Sequence, residues 1–122
     1  MDLEPGDITE KIIGAVYEVY KVLGFGFLEA VYQKAMQVEL QRQGCKCEIE
    51  CPIKVKYKNA LVGEYRADLF VNDVVIVELK TAKSYNADDE PQLLNELKAT
   101  GVKVGLLINF GRAKVEFVRR VF

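Results

Sequence analysis

A chain of 122 residues, half of them hydrophobic, with 17 basic and 18 acidic side chains, is long enough to bury a core without disulfides and reads as one globular domain over residues 1–122. A net charge of -1 excludes a strongly basic nucleic-acid coat, and no apolar run is long enough to span a membrane. The acidic, proline-containing start does not resemble a signal peptide, so a soluble cytoplasmic protein without a membrane partner is expected.

Asp7-x-x-Glu10 looks like a capping box opening a first helix, whose buried stripe is Ile12, Ile13, Val16, Tyr20 and Leu23. Gly24-Phe25-Gly26 breaks it. A second helix is expected from about Leu28 to Gln43, with Leu28, Val31, Tyr32, Ala35 and Met36 inward and Gly44 as its stop. Alternation then takes over: Cys47, Ile49, Cys51, Ile53, Val55 and Tyr57 mark one or two strands bent at Pro52. Cys45, Cys47 and Cys51 are an odd, tightly spaced set with no histidine in the chain, which is neither a disulfide framework nor a complete zinc or iron–sulfur ligand set. Reduced cysteines packed as small hydrophobes fit better.

Lys58-Asn59-Ala60 turns the chain into a strand carrying Asp68, which is followed by a strand carrying Glu78 and Lys80. Ala87 to Thr100 reads as a third helix, with Asp88, Asp89 and Glu90 at its positive end, Pro91 in its first turn and Gly101 ending it. Val102 to Phe110 is a buried strand, Gly111-Arg112 a turn, and Val115 to Val118 a last strand. Two helices, an antiparallel meander, a crossover helix and further strands make an α/β fold, a mixed β-sheet flanked by helices. The connection through the third helix suits a right-handed parallel crossover.

Strand register brings the charged residues together. Tyr65, Ala67, Leu69 and Val71 share one face of their strand, and Val75, Val77 and Leu79 share one face of the next. Setting Val71 against Val75, across a loop of Asn72, Asp73 and Val74, pairs the apolar faces and puts Asp68 opposite Glu78 with Lys80 on the same side. A two-residue Asn-Asp turn would send the carboxylates to opposite faces. Taken singly, each of these residues has a plainer reading, as a surface aspartate or a neutralising surface pair. Together, two carboxylates and a lysine in such apolar strands suit a bound divalent cation and a water beside it. Lys46, Lys54, Lys56, Lys58 and Arg66 form a local basic stripe that could meet phosphate, or serve simply as solvated edge-strand charges.

Gly26-Phe27-Leu28-Glu29-Ala30-Val31-Tyr32 resembles the name-giving motif of the GxxExxY proteins. Asp68, Glu78-Leu79-Lys80, Gln92-Leu93-Leu94 and the run from Lys98 to Gly111 are similar to its later blocks, in order and over nearly the whole chain. That family is placed in the PD-(D/E)xK nuclease-like superfamily, so the resemblance implies a restriction-endonuclease-like core with two N-terminal helices. It implies Asp68 and Glu78 as metal carboxylates, the Leu79 carbonyl as a further ligand, and Lys80 as the catalytic lysine. Glu29 would complete the metal shell or bind a second ion, and Gln92 would lie near the substrate phosphate. Tyr32 resembles the motif tyrosine, to which packing or a role beside the site and its substrate can be given.

Magnesium or manganese is the expected cofactor, polarising the scissile phosphate and acidifying a bound water while Lys80 orients that water. The expected partner is nucleic acid, DNA before RNA. Resolvases of the superfamily are dimers, so a homodimer is compatible, although no sequence feature marks an interface. Two departures stand out: Asp89 replaces the family's frequent histidine before the glutamine, and Glu96 replaces a tyrosine four residues after it. Gln92 and Glu96 would share one helix face, where an acid facing the groove repels phosphate. The expected function is therefore a divalent-metal-dependent nuclease, with a catalytically weak or inactive nuclease-fold module that binds nucleic acid or a protein partner as the alternative.

Overall fold

The computed structural model describes residues 4–122. Helices α1 (Pro5–Leu23) and α2 (Glu29–Arg42) precede strands β1 (Cys47–Tyr57), β2 (Ala60–Val71) and β3 (Val75–Lys80). A single 3-10 turn, Ala87–Asp89, leads into α3 (Glu90–Thr100), followed by β4 (Val104–Phe110) and β5 (Val115–Val121). The five strands form one sheet in chain order, antiparallel except where β3 and β4, joined through α3, run parallel. This is the mixed, helix-flanked α/β sheet expected from the sequence.

Helices cover the sheet on both sides, which is why β4 is buried along its whole length and reads as one apolar run. On one side Ile8, Ile12 and Val16 of α1 and Tyr32, Met36 and Leu40 of α2 pack against Val75, Val77 and Leu79 of β3. On the other, Leu93 and Leu97 of α3 pack against Ile76 and Leu107. Gly105 permits the close approach of α3: a Cβ there would stand 2.7 Å from Leu93 Cδ1. Among the described residues no helix is long and apolar enough to cross a membrane.

Several local expectations shift. The first helix begins a turn earlier than Asp7, because Pro5 with its preset φ fits the opening position and Glu4 is the extended cap. Asp7 sits three residues in and accepts the Glu4 backbone N–H at 3.1 Å. Leu28, expected inward, is the extended residue before α2 and is 81% exposed, and Val31 is also exposed. The buried stripe of α2 instead runs Tyr32, Gln33, Met36 and Leu40. The third helix is not continuous from Ala87, since its first residues form the 3-10 turn capped by Asn86, whose side chain accepts the Asp88 N–H.

β1 is irregular at Glu50 and again between Val55 and Lys56, where the register against β2 shifts, and not at Pro52, which pairs normally with Arg66. Glu50 adopts φ 52°, a left-handed conformation uncommon for a residue with a side chain, and the ladder skips the Glu50–Asp68 pair. Across this point the hairpin changes sides. Cys47 and Leu69 pack under α1 and α2, whereas Ile53 and Ala67 pack under α3. The simple alternation expected for Tyr65, Ala67, Leu69 and Val71 is therefore broken at Asp68. All three cysteines are free, and burial pushes the Cys47 thiol up to about 11, so it behaves as a small hydrophobe.

Candidate active site

The β2–β3 register is the one that pairs Val71 with Val75, Phe70 with Ile76 and Leu69 with Val77. Asn72 and Asp73 turn with φ of 50° and 59°, and Val74 is the extra residue that keeps the apolar faces matched. The ladder stops at Leu69–Val77. One step further, Asp68 Oδ2 accepts the Leu79 backbone N–H at 2.7 Å. The carboxylate takes the place of a ladder carbonyl and is thereby fixed in direction. Within a strand the N–H and C=O of one residue leave the same edge. The Leu79 carbonyl accordingly points to the β2 side, beyond the last ladder pair, where Asp68 lies.

Glu78 follows on the α3 side of β3 and is only 3% exposed. Its carboxyl lies beside those of Glu96 and Asp68, and its Oε1 has no partner. Burial first, then the neighbouring acids, drives its pKa far above the ordinary carboxylate value. Glu96 of α3 is fully buried and its Oε1 is likewise unpartnered, while its Oε2 accepts from Gln92 Nε2 at 3.3 Å. Burial raises the Glu96 pKa as well. Glu96 thus does not face the groove but turns inward, toward Glu78.

Glu29 stands in the first turn of α2, half-buried, close enough to Asp68 and Lys80 to feel both charges. Its pKa is raised by burial first and by Asp68 next, with Lys80 opposing. Lys80 closes β3, partly buried and paired with Asn109 across the parallel ladder. Gln92 and Arg66 are exposed and border one open depression together with Glu64 and Tyr65. Tyr32 is fully buried. Its ring stacks on Phe110 at 4.4 Å and its hydroxyl donates to the Gly24 carbonyl, so it packs the core and ties down the loop before α2.

Residues that pattern alone did not single out support this arrangement. Buried Gln33 donates from Nε2 to the Asp68 carbonyl at 3.0 Å and to Glu50 Oε1 at 3.2 Å, stitching α2 to the kinked hairpin. Asn109, 1% exposed, exchanges two 2.9 Å hydrogen bonds with the Ala82 backbone and holds the chain as it leaves Lys80. Glu90, at the start of α3, pairs with Arg120 at 2.7 Å and receives the Tyr85 hydroxyl. A buried amide in an apolar run is the one sequence signal that could have marked Asn109. Gln33 and Glu50 carry no comparable signal.

A divalent ion fits the donor set: hard oxygen ligands, a buried carboxyl oxygen lacking any partner and a lysine alongside. Among the described residues no three acidic or cysteine side chains converge as a ready-made metal cage, so side-chain adjustment would accompany ion binding.

A sequence model of the PD-(D/E)XK nuclease superfamily matches residues 6–121. The chain belongs to that superfamily. The crystal structure of SSO0001 is similar in fold, with a TM-score of 0.61 at 17% identity over 95% of this chain. The PD-(D/E)XK chain described here spans 58% of the length of that protein. No curated protein sequence matches it.

Proposed function

We propose that this protein is a magnesium- or manganese-dependent nuclease that hydrolyses phosphodiester bonds, in DNA before RNA, and that residues 1–122 act as one catalytic domain of the GxxExxY type. The observation that carries the reading is the buried Glu78 carboxyl with its unpartnered oxygen, beside Asp68 and two residues from Lys80. An ionised carboxylate in such a place needs a cation. Asp68, Glu78 and the Leu79 carbonyl would hold the ion, with Glu29 at the rim. When bound, the ion supplies Lewis acidity to the phosphate and lowers the pKa of a coordinated water.

The side chains of this chain do the rest. Lys80 lies near Glu29 and Glu96. It orients the attacking water and offsets the charge that develops on the phosphate. Gln92 and Arg66, on the open side, meet the phosphate backbone. The three free cysteines, Cys45 and Cys47 buried and Cys51 partly so, suit a reducing cytosol.

A second reading, a nuclease-fold module that binds without cutting, is favoured by the absence of a ready-made three-ligand cage among the described residues. Labelled single-stranded, double-stranded and branched DNA, incubated with manganese or magnesium, separates the two. Cleavage that requires the ion and disappears in Lys80→Ala supports the nuclease. Folded protein that binds DNA and cuts no substrate supports the binding module.

A further inference from the structure

We infer that Glu96 is a cation-binding carboxylate, supplied by α3 as a third acid to the divalent-ion site of Asp68 and Glu78; this rests on the metal-dependent reading above. Glu96 is 0% exposed and Glu78 3%. Their carboxyls meet, and each keeps one oxygen, Oε1, with no hydrogen-bond partner. Gln92 satisfies only Oε2 of Glu96.

The position is imposed by packing. Leu93 and Leu97, three residues before Glu96 and one after, are fully buried and press on β4 at Gly105. Glu96 therefore cannot swing into water without lifting α3 from the sheet. Stability alone does not explain it, since an apolar residue of similar volume in place of a buried carboxyl is ordinarily neutral or better. A proton shared between the two carboxyls satisfies at most one oxygen of each, whereas two ionised carboxylates meeting out of water need a cation. A hard divalent cation takes several oxygens at once, and adding a carboxylate to the donor set tightens its hold. Asp68, also in contact with Glu78, completes a line of three acids from β2 through β3 to α3. The acid at this helix position thus acts on the ion and leaves the phosphate to Gln92 and Arg66.

The test is calorimetric titration of Mn2+ into the wild type, Glu96→Gln and, as control, the exposed Glu18→Gln, each checked for folding by circular dichroism. Ion binding in the wild type and Glu18→Gln, weakened roughly 10- to 100-fold or more in Glu96→Gln, is expected. Equal affinity in Glu96→Gln overturns the role of Glu96 and leaves the metal-dependent nuclease standing. No ion binding by the wild type overturns both. A measurement on the wild type guards against a variant that does not fold: in carbon-detected NMR the Glu96 carboxyl signal moves on Mg2+ addition together with those of Asp68 and Glu78. A Glu96 signal that stays still while the other two move also overturns the proposal.

Discussion

The Leu79 backbone N–H donates to Asp68 Oδ2 at 2.7 Å, so the side chain of one strand continues the ladder that its backbone has abandoned. This bond gives Asp68 two duties that substitution can separate. Asp68→Asn keeps an acceptor for the N–H and removes the charge; Asp68→Ala removes both. Both variants are expected to lose divalent-ion binding. Only Asp68→Ala should also lose about 1–3 kcal/mol of stability, the cost of an unsatisfied buried N–H. Urea unfolding of the two proteins without metal, beside ion titrations, checks both halves.

The buried acids predict a pH dependence for the metal-free protein. Glu78 and Glu96 hold their protons in the fold above the ordinary carboxylate value of 4.5. Below that value folded and unfolded chains are both protonated, and the contribution to stability is fully present. As pH rises past it, the unfolded chain releases protons that the fold retains. Stability should then fall by up to about 1.4 kcal/mol per pH unit for each retained proton. Urea melts in EDTA between pH 4.5 and 8 should show that decline, and Glu78→Gln should flatten it. A wild-type profile that rises across this range contradicts the burial of protonated acids.

Tyr32 is expected to matter through the loop it secures. Tyr32→Phe keeps the stack on Phe110 and loses the bond to the Gly24 carbonyl, at a cost of about 1 kcal/mol. Tyr32→Ala opens a cavity in the core and should cost about 3–5 kcal/mol. Thermal or urea unfolding measures both, and near-equal losses would remove the packing role assigned to the ring.

Gly105→Ala tests how tightly α3 must sit. The added Cβ would stand 2.7 Å from Leu93 Cδ1 and 3.1 Å from Leu97 Cδ1, so the buried Leu93 and Leu97 side chains must shift. A loss of about 1–3 kcal/mol is expected from overpacking. Weaker ion binding should accompany it, because Glu96 rides on the same helix. Unfolding curves and Mn2+ titration of the variant decide the matter.

The β2–β3 register was readable because one face of each strand had to be apolar, and the simplest pairing of those faces set Val71 against Val75. The inward turn of Glu96 was not readable. Helical periodicity sets it on the same face as Gln92, but the depth of that face depends on how closely α3 approaches β4, and Gly105 controls that distance. The break at Glu50 was hidden for a related reason. Nothing in the local sequence demands a left-handed glutamate, and the two cores on either side of the hairpin are what hold it there. Helix 2 was misphased because Leu28 and Val31 are apolar yet stand outside the stripe that Tyr32, Met36 and Leu40 define.

Apolar periodicity, glycine stops and the apolar faces of β2 and β3 by themselves determined the element order, the α/β class and the β2–β3 register, since each follows from short-range geometry and the need to bury apolar faces. Tertiary structure alone decided that Asp68 is aimed by a backbone N–H, that Tyr32 serves its loop, and that Glu96 meets Glu78 in the interior. Those outcomes depend on distances between elements remote in the chain, which packing sets and local pattern does not contain.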